Sequence, residues 1–163
     1  ENPKTCAEMH CDKHVVKMIL EYAQLLSTAH HVIDGVPTID CYKMTHKNHP
    51  SAIWARENRS NYIWLVELLD NLLMEYTFRY GKRHKTERSG IFTNLCRFPY
   101  GMKDGEFTQP PQCMDDYCKV EGDSIMAYRN YYIREKSYMA RWKFTPKPLW
   151  YTIGMACDMK EVA

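Results

Sequence analysis

The fold of this chain is decided by residues 12–30, which have the sequence DKHVVKMILEYAQLLSTAH. On a helix with 3.6 residues per turn, the apolar residues of this stretch cover most of the circumference. A helix that is apolar nearly all round belongs inside the protein, where this surface is buried. We therefore expect a buried helix whose polar strip faces solvent, a cleft or a buried network. The polar residues that fall on this narrow strip are His14, Lys17, Glu21, Gln24 and Thr28.

Two further long helices are predicted after this stretch. Apolar residues recur at helical spacing from Pro50 to Tyr80, and the polar residues 58–61 indicate a possible break within this helix. Asp123 can cap a third helix, predicted over residues 124–142, by accepting a free N–H of the first turn.

The remaining segments are predicted to be short or irregular. We expect a helical turn over residues 4–10, after which Asp12 caps the first long helix. Glycines and prolines interrupt residues 86–122, which indicates an irregular segment with one short helix. Residues 144–154 are stiffened by proline and are predicted to be extended. The sequence thus predicts one compact all-α domain over residues 1–163, with about three long helices, short helices and a Pro/Gly-rich irregular segment.

The composition restricts the class of protein. The 22 Lys and Arg residues nearly balance the 20 Asp and Glu residues, so the net charge is only +2. No apolar run reaches the length of a membrane-spanning helix. The seven cysteines form no CxxC pair, which predicts reduced thiols and a cytoplasmic location. We expect a monomer without a cofactor.

The side chains on the polar strip form a possible acid–base set. His14 and Glu21 are two helical turns apart, and Lys17 lies between them. A nearby ammonium keeps a carboxylate ionised, whereas a histidine titrates near neutrality and can donate to an oxygen or a phosphate. The alternative is an ordinary solvated face without a chemical role.

A metal site competes for the same helix. Two pairs of histidines, His10 with His14 and His46 with His49, have spacings that can place two imidazoles on one ion. Neighbouring lysines repel a cation, so we expect no metal, and these four histidines are the ligands if one binds. Otherwise His46 and His49 fix the loop before the second long helix, or they face the cleft together with Gln24.

Basic residues gather in two parts of the sequence. A nearly neutral protein can still present one basic face to phosphates, although solvated helix faces have the same composition. The basic residues that we expect such a face to present to phosphates are Lys82, Arg83, Lys85, Arg134, Arg141 and Lys143.

Three motifs of this chain resemble those of the pyrimidine-dimer DNA glycosylases of the endonuclease V type, which occur in phages, algal viruses and some bacteria. In that family, the first helix carries Asp-x-His and a catalytic Glu seven residues later, and an Asn-His-Pro loop precedes the second long helix. An aromatic C-terminal segment lies against DNA, and an arginine precedes the Glu where this chain has Leu20. The matching residues here are Asp12-Lys13-His14 with Glu21, the loop from Tyr42 to Pro50, and Pro148-Leu149-Trp150-Tyr151 with Gly154.

The resemblance implies a DNA glycosylase and lyase that acts on an extruded nucleotide, in an infected host cell if the chain is viral. Glu21 is then the catalytic carboxylate, which stabilises positive charge on the sugar or moves its protons. His14 and Lys17 hold phosphate or sugar oxygens. Trp150 and Tyr151 stack on bases, unless these large rings are core residues.

The family's nucleophile is the free α-amine of the processed first residue, which attacks the deoxyribose carbon to form an imine. A methionine before Glu1 is not normally removed, so we expect a longer native N-terminus. Two other interpretations therefore stay open. One is a transferase or hydrolase that modifies nucleotides or DNA bases with His14, Lys17 and Glu21. The other is a non-catalytic module that binds nucleic acid or protein.

Overall fold

The stretch that decides the fold forms helix α2 (Asp12–Asp34). Its residues Val15, Ile19, Ala23 and Leu26 are fully buried. These positions are three or four residues apart, so they share one face of the helix. In the computed structural model, which describes residues 2–161 and the side chains up to residue 158, this face packs on helices α3 and α4.

Helices make up all of the regular structure within residues 2–161, so the predicted all-α class is confirmed. None of the described helices combines the length and the apolar character that crossing a bilayer requires. The helices besides α2 are α1 (Pro3–Met9), α3 (Pro50–Glu57), α4 (Arg59–Tyr80), α5 (Lys85–Arg88), α6 (Ile91–Leu95), α7 (Ser124–Glu135) and α8 (Leu149–Glu161).

The break that was predicted within the second long helix lies at Asn58. Pro50 opens α3 behind the cap residue His49, as expected for a proline in a first turn. Asn58 then separates α3 from α4, and its Oδ1 accepts the N–H of Asn61 at 3.0 Å. Gly81 ends α4 in the left-handed conformation at φ 66°, which glycine adopts without steric cost.

The start of α2 and the irregular segment differ from the prediction. Asp12 is the first residue of α2 and not its cap, because its Oδ1 accepts hydrogen bonds from Arg79 and from the N–H of Lys143. The helix also continues to Asp34, beyond the predicted end. Residues 86–122 contain α6, most of α5 and a 3-10 helix, where one short helix was predicted.

The C-terminal part of the chain departs most from the prediction. Helix α7 ends at Glu135 and not near residue 142, and α8 occupies a region that was predicted to be extended. Pro148 does not prevent this helix, because its carbonyl accepts the first helical bonds, from Tyr151 and Thr152. The helical turn lets aromatic side chains pack into a second core. This core contains buried Cys11, Ala140 and Tyr151, with Tyr132, Ile133, Met139, Trp142, Trp150 and Met155 packed against it.

Arg79 is fully buried and connects three helices. Its guanidinium donates to Glu75 Oε2 at 2.8 Å and to Asp12 Oδ1 at 3.0 Å. It also donates to the carbonyl oxygens of His10 at 2.8 Å and Glu8 at 3.0 Å. A buried charge is costly unless it is paired and hydrogen-bonded, and here two carboxylates and two carbonyls provide the partners. The Arg79 cluster, defined by these five residues, fixes α1 and the start of α2 against α4.

Replacing Arg79 with Met tests the role of this cluster. The variant Arg79→Met leaves two carboxylates without their cation and two carbonyls without their donor. We expect the free energy of unfolding to fall by about 3–5 kcal/mol, measured by chemical denaturation. The exposed Arg88 on α5 provides the control, since Arg88→Met should change this value by less than about 0.5 kcal/mol. A similarly small change in Arg79→Met would contradict the proposed role.

Candidate functional site

The three predicted catalytic side chains lie along one face of α2. Lys17 Nζ and Glu21 Oε1 form an ion pair at 3.2 Å, and their side chains are 68% and 42% exposed. His14 lies about one turn before Lys17 and is half-buried. At a rise of 1.5 Å per residue, the three positions span about 10 Å along the helix axis. The carboxylate and the ammonium are therefore accessible from solvent, next to a partly sheltered imidazole.

Tyr132 of α7 fixes the ring of His14. The Tyr132 hydroxyl lies 2.7 Å from His14 Nδ1 and accepts the N–H of Cys11 at 3.3 Å. Burial raises the pKa of Tyr132 well above its usual value, so the phenol keeps its proton. The Tyr132 hydroxyl can donate its O–H to His14 Nδ1 in the tautomer in which Nδ1 carries no proton. The proton of the neutral imidazole is then on Nε2, which is a hydrogen-bond donor.

His14 is neutral at pH 7, contrary to the prediction that it titrates near neutrality. Burial lowers the pKa of His14 to about 4, and the nearby His10, Lys136 and Lys17 act in the same direction. Both effects disfavour the imidazolium ion, the first by desolvation and the second by charge repulsion. His14 can therefore hold an oxygen atom through Nε2–H, but it is not in the imidazolium form near pH 7.

A second imidazole–phenol pair lies next to the first. His10 Nδ1 is 2.7 Å from the carbonyl oxygen of Cys6, and His10 Nε2 is 2.9 Å from the Tyr22 hydroxyl. Burial lowers the pKa of His10 to about 4 and raises that of Tyr22 well above its usual value. The neutral ring thus donates from Nδ1 and accepts at Nε2. Both nitrogens are in use, so His10 has none left for a metal.

The connector between α2 and α3 covers the far half of the polar strip. Ser27 Oγ accepts the N–H of Tyr42 at 3.1 Å, and Thr28 Oγ1 donates to the carbonyl of Thr45 at 3.1 Å. The same Thr28 hydroxyl accepts the N–H of Thr45. The polar strip is therefore open in its N-terminal half only, and the half-buried Gln24 lies near the boundary.

His46 and His49 do not line the site, so the prediction that they face the cleft is wrong, and the four histidines named as ligands for a metal are not brought together. His46 is exposed and hydrogen-bonds Thr45 Oγ1, whereas His49 Nδ1 accepts an N–H of the first turn of α3. The loop is held at Thr28, about 20 Å along the helix from His14. The described residues contain no group of three metal-binding side chains. The hydrogen bonds of His46 and His49 agree with the alternative that these residues fix the loop before the second long helix.

The segment after α7, which carries several basic residues, lies against the start of α2. The Asp12 N–H donates to the carbonyl of Arg141 at 2.8 Å, and the Lys143 N–H donates to Asp12 Oδ1 at 2.9 Å. These bonds hold the segment after α7 against the start of α2. Lys136 is close enough to lower the pKa of His14. We call the cations carried by these two elements the basic rim, namely Lys13 and Lys17 of α2 with Lys136, Arg141 and Lys143 after α7.

The other cations that were predicted to contact DNA are either exposed or paired with groups of the protein. Lys82 and Lys85 are exposed after the end of α4, and Arg83 forms an ion pair with a glutamate at 2.6 Å. Arg134 donates to the carbonyl of Tyr117 at 2.6 Å. Its side chain therefore faces the 3-10 helix, so Arg134 does not belong to the basic rim.

The aromatic residues that were predicted to stack on bases lie in the second core. Tyr151 is 5% exposed, so it has no surface for a base. Trp150 Nε1 donates to the sulfur of Met9 at 3.2 Å, and Trp142 Nε1 donates to the Met9 carbonyl at 3.1 Å. These bonds tie the tail to α1. Trp150 and Tyr151 therefore pack in the second core, which was the alternative to stacking on bases.

Several residues of the site were not predicted as functional, and Tyr132 is the most important of them. It lies 118 residues beyond His14, and no local spacing relates the two. The tyrosines at positions 128, 131 and 132 of α7 indicate a functional site only weakly, because tyrosines are commonly buried for packing alone.

Comparisons with protein-family models, curated proteins and solved structures find no match.

The burial of neutral His10 makes the free energy of unfolding depend on pH. His10 has a pKa of about 4 in the fold and the ordinary value of 6.5 when unfolded. Between these values the unfolded chain binds more protons, so the free energy of unfolding falls as pH drops from 6.5 towards 4. We expect His10 to contribute a loss of about 3 kcal/mol over this window. Denaturant titrations from pH 7 to pH 4 should show a flatter dependence for His10→Gln than for the native sequence. Equal slopes would contradict the assignment.

Proposed function

We propose that this protein binds DNA along the basic rim and cleaves the bond between base and sugar of an extruded nucleotide beside α2. The observation that carries the proposal is the position of a neutral imidazole and the Lys17–Glu21 ion pair at the edge of this rim. The open strip, about 10 Å long, is comparable in length to one nucleotide. The nucleotide must leave the stacked duplex to reach these groups.

The local charge supports an anionic partner although the whole chain is nearly neutral. Asp12 is bonded to Arg79, and Glu21 is paired with Lys17, so these two carboxylates already have a cation, while Glu135 lies near Lys136. The remaining lysines and arginines of the rim are left to act on phosphates. Such contacts supply most of the sequence-independent affinity for DNA.

The carboxylate of Glu21 is suited to the hydrolytic step. Water attacks C1′ of the deoxyribose while the bond from C1′ to the base nitrogen breaks. Glu21 stabilises the positive charge that develops on the sugar and takes a proton from the attacking water. This proton passes to the departing base, so the products are a neutral base and an abasic sugar. His14 Nε2–H donates a hydrogen bond to a sugar or phosphate oxygen and keeps its proton throughout.

An amine in place of water leads to the lyase reaction that the resemblance implies. The amine displaces the base from C1′, the base leaves with a proton, and the sugar ring then opens to give a C1′=N imine. Lys17 supplies an amine within the site once its ammonium has given a proton to Glu21, whereas the family uses a terminal α-amine. Borohydride reduces such an imine to a stable secondary amine. Mapping the peptide that carries the adduct identifies which amine reacted.

Glu21→Gln tests the catalytic assignment. The substitution keeps the shape of the side chain but removes its charge and its capacity to accept a proton. We expect cleavage of the base–sugar bond in dimer-containing duplex DNA, measured as abasic sites formed, to fall by about 10²-fold or more, while affinity for the same duplex stays within about twofold. The exposed Glu67 of α4 is the matched control, and Glu67→Gln should be fully active.

Unchanged formation of abasic sites by Glu21→Gln would exclude Glu21 as the catalytic carboxylate. If the protein binds DNA but yields neither abasic sites nor a borohydride adduct, the non-catalytic binding module replaces the enzyme.

The salt dependence of DNA binding tests the basic rim. Affinity for DNA falls as salt concentration rises, and each phosphate contact that is lost makes the slope of log affinity against log salt concentration shallower by about 0.9. We therefore expect the double variant Arg141→Ala, Lys143→Ala to reduce the magnitude of this slope by about 2, measured by fluorescence anisotropy. Arg134→Ala is the matched control, because Arg134 is also an exposed arginine but faces Tyr117. An equal effect of both variants would show that the rim is not the DNA-binding surface.

A further inference from the structure

Two phenylalanines are exposed next to the basic rim. Phe78 in the last turns of α4 is 62% exposed, and Phe144 is 72% exposed. Their rings are 6.4 Å apart and nearly perpendicular, at 70°. Both rings therefore leave most of their apolar surface in contact with water, and the second core, which takes up Trp150 and Tyr151, does not include them.

The backbone holds Phe144 in an unusual conformation. Its φ angle is +62°, in the left-handed region that bulky side chains rarely adopt. The residues on both sides are tied to the Arg79 cluster. The N–H of Lys143 donates to Asp12 Oδ1, and Thr145 Oγ1 donates to Glu75 Oε2 at 2.9 Å. These two anchors compensate for the strained backbone and fix the position of the exposed ring.

Cations lie next to these rings. Lys143 Nζ is 5.1 Å from the centre of the Phe144 ring and 6.0 Å from that of Tyr80. The exposed Lys82 follows Tyr80 by two residues. Aromatic faces beside mobile ammonium groups match the chemistry of an unpaired nucleotide, because the base stacks on a ring while its phosphate meets a cation.

We propose that Phe78 and Phe144 form a stacking platform for an unpaired nucleobase of single-stranded or locally opened DNA. The inference rests on the proposed function and extends it, since it assigns a surface that compensates for unstacking the bases beside the extruded nucleotide. The platform takes the role that the sequence suggested for Trp150 and Tyr151.

Stacking is tested with a single-stranded oligonucleotide that contains 2-aminopurine, and with the paired duplex of the same length. Phe144→Leu and Phe78→Leu keep apolar side chains but remove the aromatic faces. We expect each to weaken single-strand binding about tenfold and to affect the duplex much less. The quenching of 2-aminopurine fluorescence on binding should be lost in Phe144→Leu and restored in Phe144→Trp. The salt slope should stay unchanged, because no phosphate contact is removed.

Tyr100→Leu is the matched control for an exposed aromatic residue. Tyr100 is 94% exposed, and its N–H donates to Asp34 at the opposite end of α2, about 30 Å from the rim. Thermal melts establish that each variant is folded. If Phe144→Leu binds and quenches like Tyr100→Leu while the native sequence binds DNA, the platform is excluded and the DNA-binding proposal stands. If the native sequence binds neither oligonucleotide, the proposed function fails and the platform fails with it.

Discussion

The buried guanidinium of Arg79 is the interaction on which the arrangement of this protein depends. It joins α1, α2 and α4, and two of its partners also hold the chain after α7. Asp12 accepts the N–H of Lys143, and Glu75 accepts the hydroxyl proton of Thr145. Because a buried charge without partners is strongly unfavourable, these bonds disfavour other positions of the C-terminal segment. The ion cluster therefore positions the helices of the core and the basic rim together.

The polar strip of α2 acquires two different environments from the elements packed on it. Its C-terminal half is covered by the connector before α3, which uses Ser27 and Thr28 as hydrogen-bond partners. Its N-terminal half stays open, but Tyr132 shelters one side of His14. Desolvation then removes the charge of the imidazole, whereas the exposed Lys17–Glu21 pair keeps its contact with water. One helix thus presents a neutral donor and an ion pair within two turns.

The location of aromatic residues illustrates how packing overrides sequence motifs. Trp150 and Tyr151 lie in a segment that resembles a DNA-contacting tail, yet the helix that they begin turns them into the second core. Phe144 lies only a few residues earlier and is exposed, because its neighbours are bound to Asp12 and Glu75. Residue type and spacing do not distinguish these cases, since all three rings are large and apolar.

The sequence by itself determined the helices whose ends carry local signals. Pro50, Asn58, Gly81 and Asp123 act on backbone groups within a few residues, so a short window contains the physical cause. The spacing of Lys17 and Glu21 likewise sets their ion pair. Only the tertiary structure decided the helical tail, the pairing of His14 with Tyr132 and the burial of Arg79. Each of these depends on groups separated by tens of residues, and the desolvation that makes His14 neutral exists only once those groups have packed together.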